Sequence, residues 1–225
     1  MNKLSIVATP IGNLGDITLR ALDTLRETDV IACEDTRVTA KLLAHYNIKK
    51  PLVIFHARNA RVAGVRILEL LSEGKNIALV TDAGTPGVSD PGAELVGLVR
   101  FKLPDISIEA IPGASALVTA LSVAGVQISE FTFLGFLPHK KGRQTLFAEI
   151  AEASRTYVFY ESPHRIEKAL SSLVDVLSEK RRIVVARELT KIYESVVSGS
   201  ALEVSSYFSS HPDEVRGEFV VIVAP

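Results

Sequence analysis

Cysteine is almost absent. The 225 residues contain one, Cys33, so no internal disulfide can form, which suits a reducing cytoplasm. Cys33 ends the apolar run Val30-Ile31-Ala32-Cys33 and is expected to be a packed core thiol rather than a nucleophile. No Cys and His residues have zinc-ligand spacing, so no metal is expected. Long apolar runs are also missing. The mean hydropathy of +0.26 is high for a soluble protein. Yet runs such as Phe219 to Pro225 are strand-length, far short of the ~20 residues a spanning helix needs. The sequence leads almost directly into Leu4-Ser5-Ile6-Val7-Ala8, with no signal peptide expected. These features predict a cytoplasmic chain with no membrane partner. Finally, there is no excess of either charge: 25 Lys and Arg stand against 26 Asp and Glu. A protein that grips nucleic acid by bulk charge is usually strongly basic. Any nucleic-acid partner must therefore be held by a local basic surface, by shape, or within a larger assembly.

What is present is a 47% hydrophobic composition, enough for one large core or two small ones. Short β-branched runs alternate with amphipathic stretches. Strands are expected at Leu4–Ala8, Val30–Cys33, Leu52–Phe55, Asn76–Thr81 and Ser107–Ile111. Helices are expected at Thr18–Glu27, Thr36–Tyr46, Arg58–Glu73 and Ala93–Arg100, with Gly74 as a left-handed cap. This is the βαβ pattern of a mostly parallel sheet covered on both faces. A helix at Ser115–Ala124, stopped by Gly125, opens a second α/β half. Its strands are expected at Phe131–Phe136, Thr156–Glu161, Arg182–Glu188 and Glu218–Val223, with a further one at Tyr193–Ser198. Its helices lie near Arg143–Ala153, Pro163–Leu177 and Leu202–Ser209. The chain divides into an N-terminal α/β domain, 1–112, with a mostly parallel sheet, and a C-terminal α/β domain, 113–225, with a mixed sheet. No linker-like stretch separates them, which predicts tight packing.

Three loops run from a strand end to a helix start, where open α/β sheets gather ligands. The first, Ala8 to Asp16, holds Pro10, Ile11 and Gly12. Its Asp16 is placed to cap the next helix. It has neither G-x-G-x-x-G nor G-x-x-x-x-G-K-[ST], so neither a dinucleotide nor a nucleoside triphosphate is indicated. The second, Thr81 to Gly92, is long, stiffened by two prolines and opened by three glycines. Asp82 stands at a strand end, where its carboxylate can accept hydrogen bonds from ribose hydroxyls or an ammonium. The third, Ile111-Pro112-Gly113-Ala114-Ser115-Ala116, places small residues and free N–H groups at a helix start.

These loops, with Cys33-Glu34-Asp35-Thr36-Arg37, Gly135-Phe136-Leu137-Pro138, Tyr160-Glu161-Ser162-Pro163-His164-Arg165 and Ala186-Arg187-Glu188-Leu189-Thr190-Lys191, resemble the tetrapyrrole methylase superfamily. These are the class III S-adenosylmethionine methyltransferases. Within it the chain resembles the ribosomal RNA 2′-O-ribose methyltransferase I family from residue 4 to residue 224. The segment His56-Ala57-Arg58-Asn59 departs from that family's more acidic pattern.

The resemblance implies two packed α/β domains with S-adenosylmethionine in the cleft between them. Its contacts would come from Pro10, Ile11 and Gly12; from Asp82, Gly84, Thr85, Pro86, Val88 and Ser89; and from Ser115, Ala116 and Ala186. It implies methyl transfer to the 2′-hydroxyl of a cytidine in the decoding region of 16S rRNA, within the small ribosomal subunit. It also points to a homodimer. The alternative is methylation of a porphyrin- or corrin-type ring carbon; a binding domain without catalysis is a third reading. Candidates for activating the hydroxyl are Glu34, Asp35, Arg37, Glu161, His164, Arg187 and Glu188. The loop Pro138-His139-Lys140-Lys141-Gly142-Arg143 is basic in a nearly neutral chain. By composition alone it is a solvated loop; with the resemblance, Lys140, Lys141 and Arg143 are expected to meet phosphates. Arg58, Arg61 and Arg66 form a second, weaker basic face, with Arg58 and Arg61 on one helix side.

Overall fold

The computed structural model describes residues 2–126 and 128–225. The chain forms two compact units, Met1–Ser115 and Ala116–Pro225. The division falls three residues beyond the expected one, because the segment after Ile111 is tied into the first unit. The Ala8 N–H donates to Ile111, the Thr85 hydroxyl donates to the Ala114 carbonyl, and Gly113 lies against Ala8.

The first unit is a five-stranded sheet of β1 (Lys3–Val7), β2 (Val30–Cys33), β3 (Leu52–Ile54), β4 (Ile77–Leu79) and β5 (Ser107–Ile111). Their order is β3-β2-β4-β1-β5, all parallel. Parallel strands are covered on both faces, so their sequences read as continuous apolar runs; every residue of β2 and β4 is buried. One face packs Leu4, Ala32 and Leu79 with Ile67, Leu71, Leu95 and Val99. The other packs Val7, Ile31, Cys33 and Val80 with Leu22, Leu25 and Leu43. Cys33 is thus a core thiol, and burial pushes its pKa up.

The helices are α1 (Leu19–Glu27), α2 (Thr36–His45), α3 (Ala60–Ser72) and α4 (Gly92–Lys102). Thr18, not Asp16, caps α1: its hydroxyl accepts from the Ala21 N–H at 3.0 Å, while Asp16 lies in a short 3-10 turn. Helix α3 starts at Ala60, two residues later than expected. His56 and Asn59 close a turn, the His56 N–H donating to Asn59 Oδ1 at 2.8 Å. Arg58 therefore sits in that turn and shares no helix side with Arg61, which corrects the second basic face. The α3 end matches expectation. Gly74 takes φ +87°, the Gly74 N–H donates to Leu71 and the Lys75 N–H to Leu70, the paired bonds of a Schellman cap.

The second unit holds β6 (Phe131–Phe136), β7 (Thr156–Glu161), β8 (Arg182–Arg187), β9 (Ser195–Ser200) and β10 (Phe219–Val223), in the order β6-β7-β10-β8-β9. Only β6 and β7 run parallel; the other pairs are antiparallel. Helices α5 (Ala116–Val123), α6 (Arg143–Glu152), α7 (Ile166–Val176) and α8 (Ala201–Ser210) accompany the sheet. The core joins Phe147, Phe159, Phe208 and Phe219 with Leu170, Leu173 and Val221. Strand β9 starts two residues later than expected. Helix α7 starts at Ile166 rather than Pro163. Ser162 supports it with its backbone carbonyl, which accepts from Arg165 and Ile166, not with a capping hydroxyl. Among the described residues no helix is long and apolar enough to cross a membrane.

Candidate functional site

Parallel strands all end on the same edge of a sheet, so the first unit collects there the loops after β1, β2, β4 and β5. The β1 and β4 loops are joined by a bridge: the Thr9 N–H donates to Gly84 at 2.9 Å and the Gly84 N–H returns to Thr9 at 3.1 Å. The Thr9 hydroxyl, buried, donates to the Thr81 carbonyl. A Cβ on Gly84 would meet Ile11 Cγ2 at 3.4 Å and the Ala114 carbonyl at 3.7 Å, so the three loops converge on this glycine. Its φ of +83° suits glycine.

Within six residues Gly84, Gly87 and Ser89 all take positive φ. For Ser89 that conformation is costly, and it persists only where surroundings impose it. Asp90 imposes it. Its carboxylate accepts from the N–H groups of Gly87 at 2.8 Å, Val88 at 3.1 Å and Gly92 at 2.6 Å. A Cβ on Gly92 would lie 2.8 Å from Asp90 Oδ1. Asp90 was not among the expected site residues; its signal was an aspartate two residues before a glycine in a turn-rich loop.

The acids at this edge differ. Asp82 is exposed, accepts from the Asp35 N–H at 3.1 Å, and has its pKa raised, chiefly by desolvation. Glu34 accepts from the Thr81 hydroxyl at 2.9 Å. Burial raises its pKa, the Thr81 bond opposes this, and the Asp90 and Asp82 charges raise it further. Asp35 caps α2 through the Arg37 N–H and pairs with the Arg37 guanidinium, which holds its carboxyl down at about 2. Of the other expected residues here, Pro10, Ile11 and Pro86 are buried and shape the loops, Gly12 and Ser89 are exposed, and Val88, Thr85 and Ser115 are half-buried. The Thr85 hydroxyl braces the β5 loop through Ala114.

In the second unit most expected site residues have structural partners. Glu161 is fully buried and ion-paired with both Arg143 and Arg165. Arg143 is 7% exposed and lies over the Phe147 ring, so it is not the free phosphate contact the basic loop suggested. That correction follows from its place as the first residue of α6, facing the core. Arg187 is also buried and donates to the carbonyls of Arg216 and Tyr193. Glu188, at φ +51°, pairs with Lys191 and accepts from the Glu218 N–H. A Cβ on Gly217 would fall 2.2 Å from the Glu188 carboxyl. Ala186 is fully buried inside β8, in register with Val220 and Val196, and Ala116 is half-buried at the start of α5. Only His164, Lys140 and Lys141 are exposed. Arg165, outside the expected site residues, reaches Glu161, the Leu137 carbonyl and the His139 ring.

A profile of the Tetrapyrrole (Corrin/Porphyrin) Methylases matches residues 3–205. With that match over most of its length and two α/β units, the chain belongs to this methylase family. Its sequence relatives narrow the likeness to one branch. The Ribosomal RNA small subunit methyltransferase I of Vibrio cholerae is 46% identical over 221 residues, 98% of this chain and 76% of that protein. That of Thermotoga maritima is 44% identical over 224 residues, 100% of this chain and 99% of that protein. Among solved structures, a cobalt precorrin-4 methyltransferase has a TM-score of 0.70 at 19% identity, covering 99% of this chain and 94% of its own. A uroporphyrin-III C-methyl transferase of Thermus thermophilus, complexed with S-adenyl homocysteine, has a TM-score of 0.66 at 18% identity, covering 99% of this chain and 97% of its own. These two likenesses are of fold.

Proposed function

We propose that this chain is an S-adenosylmethionine-dependent methyltransferase of small-subunit ribosomal RNA. Its acceptor in this reading is the 2′-hydroxyl of a cytidine ribose in the decoding region of 16S rRNA. The supporting observation is the 44–46% identity to rRNA small subunit methyltransferase I proteins along nearly the whole chain, against 18–19% for the corrin and porphyrin enzymes.

The edge of the first sheet suits such a methyl donor chemically. Ribose hydroxyls and an ammonium need acceptors, which Asp82 offers at the end of β4. A bulky cofactor needs backbone it can approach, which Gly12 and the Gly84–Ser89 loop offer, with Ser115 at the β5 end. When bound, the donor supplies a methyl on a sulfonium whose thioether leaves without protonation, so positioning carries much of the catalysis. A ribose hydroxyl is a poor nucleophile at neutral pH and gains from a nearby proton acceptor. Among the seven candidates Glu34 fits that role best. Its carboxyl is half-buried and raised in pKa, whereas Asp35 is committed to Arg37 and held at about 2. Glu161, Arg187 and Glu188 are occupied by structural partners. A cytoplasmic homodimer acting on the small subunit completes the proposal.

Transfer of labelled methyl from the donor to 30S subunits, naked 16S rRNA or uroporphyrinogen tests this reading. Label in rRNA, mapped to a ribose hydroxyl, is the expected result. Label in uroporphyrinogen alone would replace it with ring-carbon methylation. Light scattering at micromolar concentration tests the dimer.

A further inference from the structure

In the second unit, one buried carboxylate holds two guanidiniums, and both reach the start of the same loop. The Glu161 side chain is 0% exposed, that of Arg143 8% and that of Arg165 19%. Arg143 Nη1 and Nη2 lie 3.3 Å from Glu161 Oε2. Arg165 Nη2 lies 3.1 Å from Oε2, and its Nε 3.1 Å from Oε1. The Ser162 N–H also donates to Oε1. From this anchor Arg165 donates to the Leu137 carbonyl at 2.6 Å, and Arg143 to the Pro138 carbonyl at 3.3 Å. Arg165 Nη1 is 3.4 Å from the His139 ring. At the far end of the loop the Arg143 N–H donates to Lys140, and Gly142 turns the chain at φ +83°.

Stability alone does not call for this arrangement. Buried ion pairs are often no better than apolar packing of the same volume. This cluster has one more cation than anion, and Arg143 Nε is buried without a partner among the described atoms. Its geometry instead fixes the backbone of residues 137–140, whose next side chains, Lys140 and Lys141, are exposed. We propose that Glu161, Arg143 and Arg165 form a positioning device that holds the loop Pro138–Gly142 in one conformation, so that Lys140 and Lys141 meet the phosphodiester backbone of RNA. This rests on the RNA reading given above. A pre-set loop loses less conformational freedom on binding, so the device would act on affinity rather than on the methyl-transfer step.

The test joins two readouts on the full chain. Trypsin cuts after Lys140 and Lys141 only when the loop opens, so mass-resolved cleavage there reports loop order without RNA. Binding to 30S subunits across a salt series reports the RNA contact. Glu161→Gln adds one net positive charge, so charge alone would tighten RNA binding. Positioning requires the reverse: cleavage about tenfold faster, binding about fivefold weaker, and an unchanged salt slope because both lysines remain. Arg165→Lys keeps the charge, loses the fork and lies nearer the surface; it should behave alike and serves if Glu161→Gln fails to fold. The Lys140→Ala/Lys141→Ala double variant should lower the salt slope by roughly 2. Cleavage unchanged in Arg165→Lys, or tighter RNA binding in a folded Glu161→Gln, overturns the positioning role. Faster cleavage with unchanged 30S binding, or an unchanged slope in the double variant, overturns the RNA contact of this loop.

Discussion

At the strand ends of the first unit, Asp82 and Glu34 each accept a single hydrogen bond, from the Asp35 N–H and the Thr81 hydroxyl, whereas Asp35 is paired with Arg37 and Asp90 gathers three N–H groups. In the second unit, charged side chains bond to each other or to carbonyls across the sheet. Glu161 has two arginines, Glu188 has Lys191, and Arg187 bridges two carbonyls. The two sheets account for the contrast. A parallel sheet sends every strand end to one edge, where loops meet and side chains stay available. A mixed sheet splits its ends between two edges, and β7 and β8 end on the buried charges Glu161 and Arg187. Titratable residues in sequence motifs therefore mean different things in the two halves: Asp82 and Glu34 keep acceptor capacity in the first, while Glu161, Arg187 and Glu188 brace the second.

The largest expected effect sharpens the second half of this contrast. Arg143→Ala removes one of two cations from a buried carboxylate and should cost about 3–5 kcal/mol of stability, read as a lower urea midpoint. Loss of RNA affinity with the midpoint unchanged would mean that Arg143 is an open group after all. Gly217→Ala should follow, at about 2 kcal/mol or more, because a Cβ there collides with Glu188 and φ is +86°. In the first unit, Asp90→Ala should cost about 1–3 kcal/mol and weaken donor binding as its loop relaxes. If its only effect were on stability, the β4 loop would be bracing too.

A smaller effect concerns pH. The folded pKa of Glu34 lies above its ordinary 4.5. The folded state therefore binds that proton more tightly than the unfolded chain, a stabilisation present in acid and lost as pH rises through the folded pKa. Glu34→Gln should raise the unfolding midpoint at neutral pH, and the gain should vanish near about pH 4. A gain independent of pH would locate the effect in packing rather than charge. The smallest expected change is Arg66→Ala, under about 0.5 kcal/mol, because the Arg66–Glu69 pair is half exposed on both sides.

The sequence made the strands and their faces legible, because parallel strands buried on both sides leave unbroken apolar runs such as Val30–Cys33. Gly74 and Gly125 marked helix ends through φ values of +87° and +64°. The turns of the β4 loop were legible because glycine marks positive φ, as at Gly84 and Gly87. The fate of the charges was not. Nothing in Tyr160-Glu161-Ser162-Pro163-His164-Arg165 tells that Glu161 points inward, since that depends on Arg143 arriving from eighteen residues earlier. Nor did the basic run of 139–143 reveal that its last member turns into the core as α6 begins. Helix starts moved for a similar reason: His56 with Asn59, and Ser162 with Arg165, close turns that delay α3 and α7.

Calorimetric titration of S-adenosylmethionine into the wild-type chain and Asp82→Asn tests the cofactor site most directly. Asparagine keeps the shape and removes the charge. The expected result is binding by the wild-type chain and at least about tenfold weaker binding by the variant, with the unfolding midpoint at or above that of the wild type, because the Asp82 charge is disfavoured by desolvation. Equal affinity in the two proteins would contradict the placement of the methyl donor at this edge of the parallel sheet.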